Sequence, residues 1–98
     1  MARLYSISLC AMPAFGTAPI VIDNKLSTLG DWIRFNQLQW FLFSDRSKAD
    51  IAAELTASIV GGDQVIVAVV APEFAQGHAP NWVWNWLNEK MAQQVINS

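Results

Sequence analysis

The stretch RLYSISL, residues 3–9, sets Tyr5, Ile7 and Leu9 against Ser6 and Ser8, the period of two expected of a strand with one buried face. Regularity stops in CAMPAFGTAP, where two prolines and a glycine mark a loop. In IVIDNKLSTLG, Ile22, Leu26 and Leu29 recur at i, i+4 and i+7 with Gly30 placed to end a helix. A short helix is predicted there, although β-branched Ile20, Val21 and Ile22 also suit a strand. DWIRFNQLQWFLFSD, residues 31–45, holds two aromatic runs around the polar NQLQ and lacks helical spacing, which predicts a hairpin. Its register stays open, since no Asn-Gly or Asp-Gly fixes the turn.

SKADIAAELTASIVGG follows with Ser47 as an N-cap, Asp50 three residues later, and Ile51, Leu55 and Ile59 on one stripe up to Gly61 and Gly62. That is a capped amphipathic helix. QVIVAVVA, residues 64–71, is apolar at nearly every position and rich in valine, which predicts a strand buried on both faces. After the loop PEFAQGHAPN, the segment WVWNWLNEKMAQQV follows Pro80 and aligns Val83, Leu87, Met91 and Val95 at helical spacing. A C-terminal helix over about 80–96 is predicted.

Strand, helix, strand, strand, helix, strand and a further helix predict an α+β fold. The order is that of a ferredoxin-like βαββαβ sandwich, with a four-stranded antiparallel sheet, two helices on one face and an added C-terminal helix. At 98 residues the chain is expected to form one domain, 1–98. In that topology the fourth strand is an edge, where a long apolar strand invites pairing with another chain unless something covers it. The C-terminal segment and a second subunit are the two candidates.

Composition sharpens this expectation: 53% of residues are hydrophobic and 14% charged, more apolar surface than so small a domain readily hides. A net charge of −2 offers no basic field for non-specific nucleic-acid binding. A single cysteine, Cys10, permits no internal disulfide, and the N-terminus lacks the pattern of a signal peptide. The expected location is the cytoplasm, with no membrane segment, as no apolar run approaches the roughly 20 residues a span requires.

The block LGDWIRFNQLQWFLFSDRSKADIAAELTASIVGGDQVIVAVV resembles the SinR-like group of small ferredoxin-like proteins, relatives in fold of the small dimeric subunit of the CRISPR adaptation machinery. Trp32 after Leu29-Gly30, Trp40 opening the second hairpin strand, the capped helix and Gly62-Asp63 before the last strand carry the likeness. The Trp86-Leu87 pair resembles that group's closing helix. The resemblance implies the fold and a dimer. The CRISPR relatives hold a divalent metal with an aspartate near the end of the first strand; Ser8 stands about there, and a hydroxyl brings no charge to offset dehydration of a hard cation. The resemblance therefore does not carry nuclease activity to this chain.

Candidate chemistry is sparse. Asp31 and Asp45 would oppose each other if the hairpin turned around Leu38, a pairing that favours a cation; the plainer reading is two solvated acids at strand ends beside Arg34 or Arg46. His78 has no second His or Cys at metal-ligand spacing. Cys10 with His78 as nucleophile and base lacks any supporting signature, and a small buried thiol is the plain expectation. GTAPI and VGGDQ lack phosphate-loop patterns, so no cofactor is implied. Arg34, Arg46 and Lys48 beside an aromatic hairpin with Trp32, Phe35 and Trp40 could serve single-stranded RNA by charge and stacking; hairpin aromatics otherwise form core.

Trp82, Trp84 and Trp86 alternate like strand residues, but on a helix Trp82 and Trp86 share a side and Trp84 points away. Trp82 and Trp86 are therefore expected on the sheet, and Trp84, with Val65, Val67 and Val69, at a subunit contact. The reading that follows is a homodimeric binding or assembly protein without a catalytic centre. A metal-dependent nuclease using Asp31 or Asp45, and a single-stranded RNA-binding protein, are the alternatives.

Overall fold

The computed structural model describes residues 2–11, 16–71, 77 and 80–97, with side chains described as far as residue 93. Its elements are β1 (Arg3–Cys10), α1 (Pro19–Leu26), β2 (Asp31–Asn36), β3 (Gln39–Ser44), α2 (Lys48–Thr56), β4 (Gln64–Val69) and α3 (Asn81–Asn97). The four strands form one antiparallel sheet in the order β2-β3-β1-β4, with three helices packed on it. The chain is an α+β protein.

The alternation in β1 decides which face each residue serves. Tyr5, Ile7 and Leu9 join Ile22 and Leu26 of α1, Ile51 and Leu55 of α2, and Trp40 and Leu42 of β3 in the larger core. Leu4, of opposite parity, joins Phe43, Val83 and Leu87 in a smaller core under α3. The sheet thus lies between two helices on one side and one on the other.

Local chemistry fixes the connections. Pro19 opens α1 at a position that needs no N–H donor. The helix ends at Leu26, before Leu29, yet Leu29 stays buried in the turn that follows. Gly30 then passes so close to β3 that a β-carbon there would strike the Phe43 carbonyl. The β2–β3 turn is held by Asn36, whose Oδ1 accepts from the Leu38 amide at 3.0 Å and whose Nδ2 donates to Gln39 Oε1 at 2.8 Å. This Asx turn replaces the absent Asn-Gly signal, and the ladder shifts register between Arg34 and Asn36.

Ser47 caps α2 as predicted, its Oγ accepting from the Asp50 amide at 3.1 Å. Before β4 the chain turns through Gly62 at φ +95°, a conformation that favours glycine. That turn is clamped to the segment leading into α1: the Thr17 amide and hydroxyl donate to Asp63 Oδ2 at 2.6 and 2.7 Å, and the Val60 amide donates to Thr17 Oγ1 at 2.7 Å.

The expectation that β4 is buried on both faces does not hold within one chain. Val65 and Val67 pack against the larger core, but Ile66 is 61% exposed and Val69 50% exposed. The reason is placement: β4 is an edge strand, and α3 packs on Leu4 and Phe43 of the neighbouring strands, leaving Ile66 outside its footprint.

Candidate functional site

Among the described residues the two edges of the sheet are β2 and β4. In an antiparallel ladder, residues alternate between bonding one neighbour and bonding the other. The Val70 amide donates to the Leu4 carbonyl at 2.8 Å, and with the register Tyr5↔Val69, Ile7↔Val67, Leu9↔Val65 this makes Ser6–Ala68 and Ser8–Ile66 the hydrogen-bonded pairs. Val65, Val67 and Val69 therefore turn their backbone N–H and C=O groups outward, away from β1. These are three of the four residues expected at a subunit contact.

The fourth, Trp84, is placed differently. Val83 and Leu87 are buried at the centre of α3's inner face, and Trp84 and Trp86 pack against that core as its flanks. Trp82 is the one left outside, 51% exposed. Counting from Val83, the inner stripe runs 83, 87, 90, so its flanks are Trp84 and Trp86, and Trp82 falls beyond them. Trp82, expected on the sheet, is thus mostly exposed, and Trp84, expected at a subunit contact, packs partly against the sheet of its own chain. The side chain of Val95 lies outside the described residues.

The hairpin residues expected to gather for RNA are dispersed. Trp40 has no exposed surface, because its indole Nε1 donates to Asp23 Oδ1 of α1 at 2.7 Å in the core; it cannot stack on a base. Arg34 lies 3.4 Å from Asp23 Oδ2. Arg46 lies beyond the other end of β3, 3.6 Å from Asp50 and 3.9 Å from Glu54. Lys48 opens α2 nearby. Arg46 and Lys48 therefore belong together and Arg34 does not.

Nor do Asp31 and Asp45 face each other. Asp31 lies opposite Phe43, two residues short of Asp45, because the turn closes at Gln37-Leu38 and the ladder is shifted beyond Arg34. Asp31 instead accepts from Lys90 Nζ at 3.0 Å. Lys90 is buried, its ammonium 5.5 Å from the ring centres of both Phe43 and Trp86, a cation–π cradle that compensates part of its desolvation. Cys10 is exposed rather than buried, since β1 ends there at the rim of the sheet; His78 lies outside the described residues. Among the described residues no three His, Cys, Asp or Glu side chains come together as metal ligands would. No described helix is long and apolar enough to cross a membrane.

Sequence reasoning did not single out Asp23, Ser44 or Lys90. Asp23 was within reach: it adjoins Ile22 and precedes Leu26 by three residues, on the buried side of α1. Phe35 and Phe41, stacked with ring centres 4.6 Å apart, sit against the smaller core. Their pairing across β2 and β3 explains why an aromatic hairpin is stable without exposing a flat platform.

No family model matches this chain, and no curated protein or solved structure matches it either.

Proposed function

We propose that the chain is a small binding or assembly protein that acts as a homodimer, built on a ferredoxin-like sandwich with an added C-terminal helix and joined through the edge of β4. The strand order β2-β3-β1-β4, antiparallel throughout, supports the ferredoxin-like reading, and with it the resemblance to the SinR-like group. The observation that carries the dimer is the edge itself. β4 reads QVIVAV: no charge, no proline and a regular register with β1, and three outward-facing valine backbones.

A second copy of the chain is the occupant this edge fits best. Two-fold pairing is self-complementary, so placing Val67 opposite its own copy sets Val65 opposite Val69. Every outward N–H and C=O of the three valines then meets a partner, and Ile66 and Val69 lose part of their exposure. Capture by strand addition works through such backbone complementarity.

Sedimentation at micromolar concentration tests the reading, with a dimer expected. The variant Val67→Pro removes one outward N–H and no bond to β1, so it should sediment as a monomer with unchanged circular dichroism. A wild-type monomer at about 100 μM would overturn the reading, as would a dimer indifferent to Val67→Pro.

A further inference from the structure

The chain has six lysines and arginines and a net charge of −2, yet its cations are unevenly placed. Lys25 pairs with Glu54, Arg34 with Asp23 and Lys90 with Asp31. The other three, Arg3, Arg46 and Lys48, line a single concavity of about 410 Å³ between the start of β1 and the β3–α2 turn. One acid, Asp45, shares that lining, and Asp50 and Glu54 face Arg46 from α2, so the positive excess rests on Arg3 and Lys48. Arg3 and Lys48 have no acid within ion-pair distance among the described residues, and Arg46 reaches Asp50 and Glu54 only at 3.6 and 3.9 Å.

The concavity is held in shape from below. Buried Tyr5 donates its hydroxyl to the Arg46 carbonyl at 2.8 Å. Buried Ser44 accepts from the Arg46 amide at 3.0 Å and donates to the Leu29 carbonyl at 2.6 Å. The backbone that presents Arg46, Ser47 and Lys48 is thus anchored on β1 and on the turn after α1. With Ser47 capping Asp50, the amides of Lys48 and Ala49 are left without intrahelical partners.

The geometry points to a binding site for a phosphate monoester on a small molecule. Arg3 and Lys48 supply charge without first breaking an ion pair, and Arg46 supplies a planar fork once it leaves its long contacts with Asp50 and Glu54. Lys48, whose first-turn amide has no intrahelical partner, lines the concavity, and Ala49 follows it in the chain. A volume of about 410 Å³ suits a small ligand, and three cations are too few to follow a nucleic-acid strand. Trp40, the aromatic that would have extended the surface for bases, is in the core.

The test uses calorimetry or amide chemical shifts at low salt, with inorganic phosphate, adenosine monophosphate and a single-stranded oligouridylate as probes. Saturable binding of phosphate and the monophosphate is expected, with the amide signals of Lys48 and Ala49 moving. Arg3→Ala and Lys48→Ala should each weaken binding about fivefold or more, the double variant should abolish it, and Arg34→Ala should leave it unchanged. Because Val69 of the β4 edge also lines the concavity, the titration is repeated on Val67→Pro, where binding should persist in the monomer; its loss there would overturn a site built by one chain. The inference is overturned by no saturation below about 10 mM, by binding that survives the double variant, or by oligouridylate binding tightly where the monophosphate does not.

Discussion

The two edges of the sheet are strands of six residues each, and they are finished in opposite ways. β2 carries Asp31 and Arg34, ends in a register shift, and is tied back to the rest of the fold by its side chains: Trp32 to Ser27 at 2.9 Å, Arg34 to Asp23, Asp31 to Lys90. β4 carries no charge, keeps a regular register, and turns three valine backbones outward. Charges and bulges are what proteins use to prevent strand addition. One edge has them and the other lacks them, so the direction in which the sheet can grow is written into the residues of its borders.

Substitutions that exchange the two treatments test this contrast. The largest effect belongs to β4: if the proposed dimer forms through this edge, Val67→Pro should weaken it at least about 100-fold, close to 3 kcal/mol, in equilibrium sedimentation. Ile66→Pro, one residue away, removes an amide bonded to β1 and should instead lower the stability of the monomer, read by urea denaturation. Next comes Trp40→Phe, which withdraws a buried donor from Asp23. A loss of about 2 kcal/mol is expected, with a fall in Tm on the order of 10 °C and the dimer constant unchanged.

Arg34→Ala should cost less, about 1 kcal/mol, because the guanidinium is partly exposed and Asp23 keeps its bond from Trp40. It also strips β2 of its cation, so a gain of higher oligomers in sedimentation would show that Arg34 guards that edge. The smallest effect is Asp31→Asn, about 0.5 kcal/mol or less by chemical denaturation and diminishing with added salt, since that carboxylate is mostly in water. A loss as large as that of Trp40→Phe would mean that β2 is held mainly by Lys90.

Much of this architecture was legible in the sequence, and the illegible parts share a cause. The alternation of Tyr5, Ile7 and Leu9, the Ser47 cap and the helical spacing of Val83 and Leu87 are local signals that tertiary packing only reinforces. The partner of Trp40 is Asp23, 17 residues away on another element, and no periodicity announces it. Arg3 and Lys48 come together only because β1 lies beside β3. The three alternating tryptophans misled about their own roles, since which of them faces the sheet depends on the rotation of α3, set by Val83, Leu87 and Lys90 together. The all-apolar run of β4 reads as burial on both faces; in a single chain Val65 and Val67 pack on the core while Ile66 and Val69 stay exposed.

The central position of β1 also orders events in time. β2 and β3 are joined by a short turn, and such hairpins close in about 1–10 μs. β1 must find β3 across the whole first crossover and β4 across more than half the sequence, Cys10 meeting Gln64. Long-range closures of this kind slow folding, so β4 is the strand that reaches the sheet late. During that interval β1 itself is an open border with the alternation that β4 recognises. At high concentration the β4 of a neighbouring molecule competes for the same place, and refolding yield should fall with concentration before any native contact is lost.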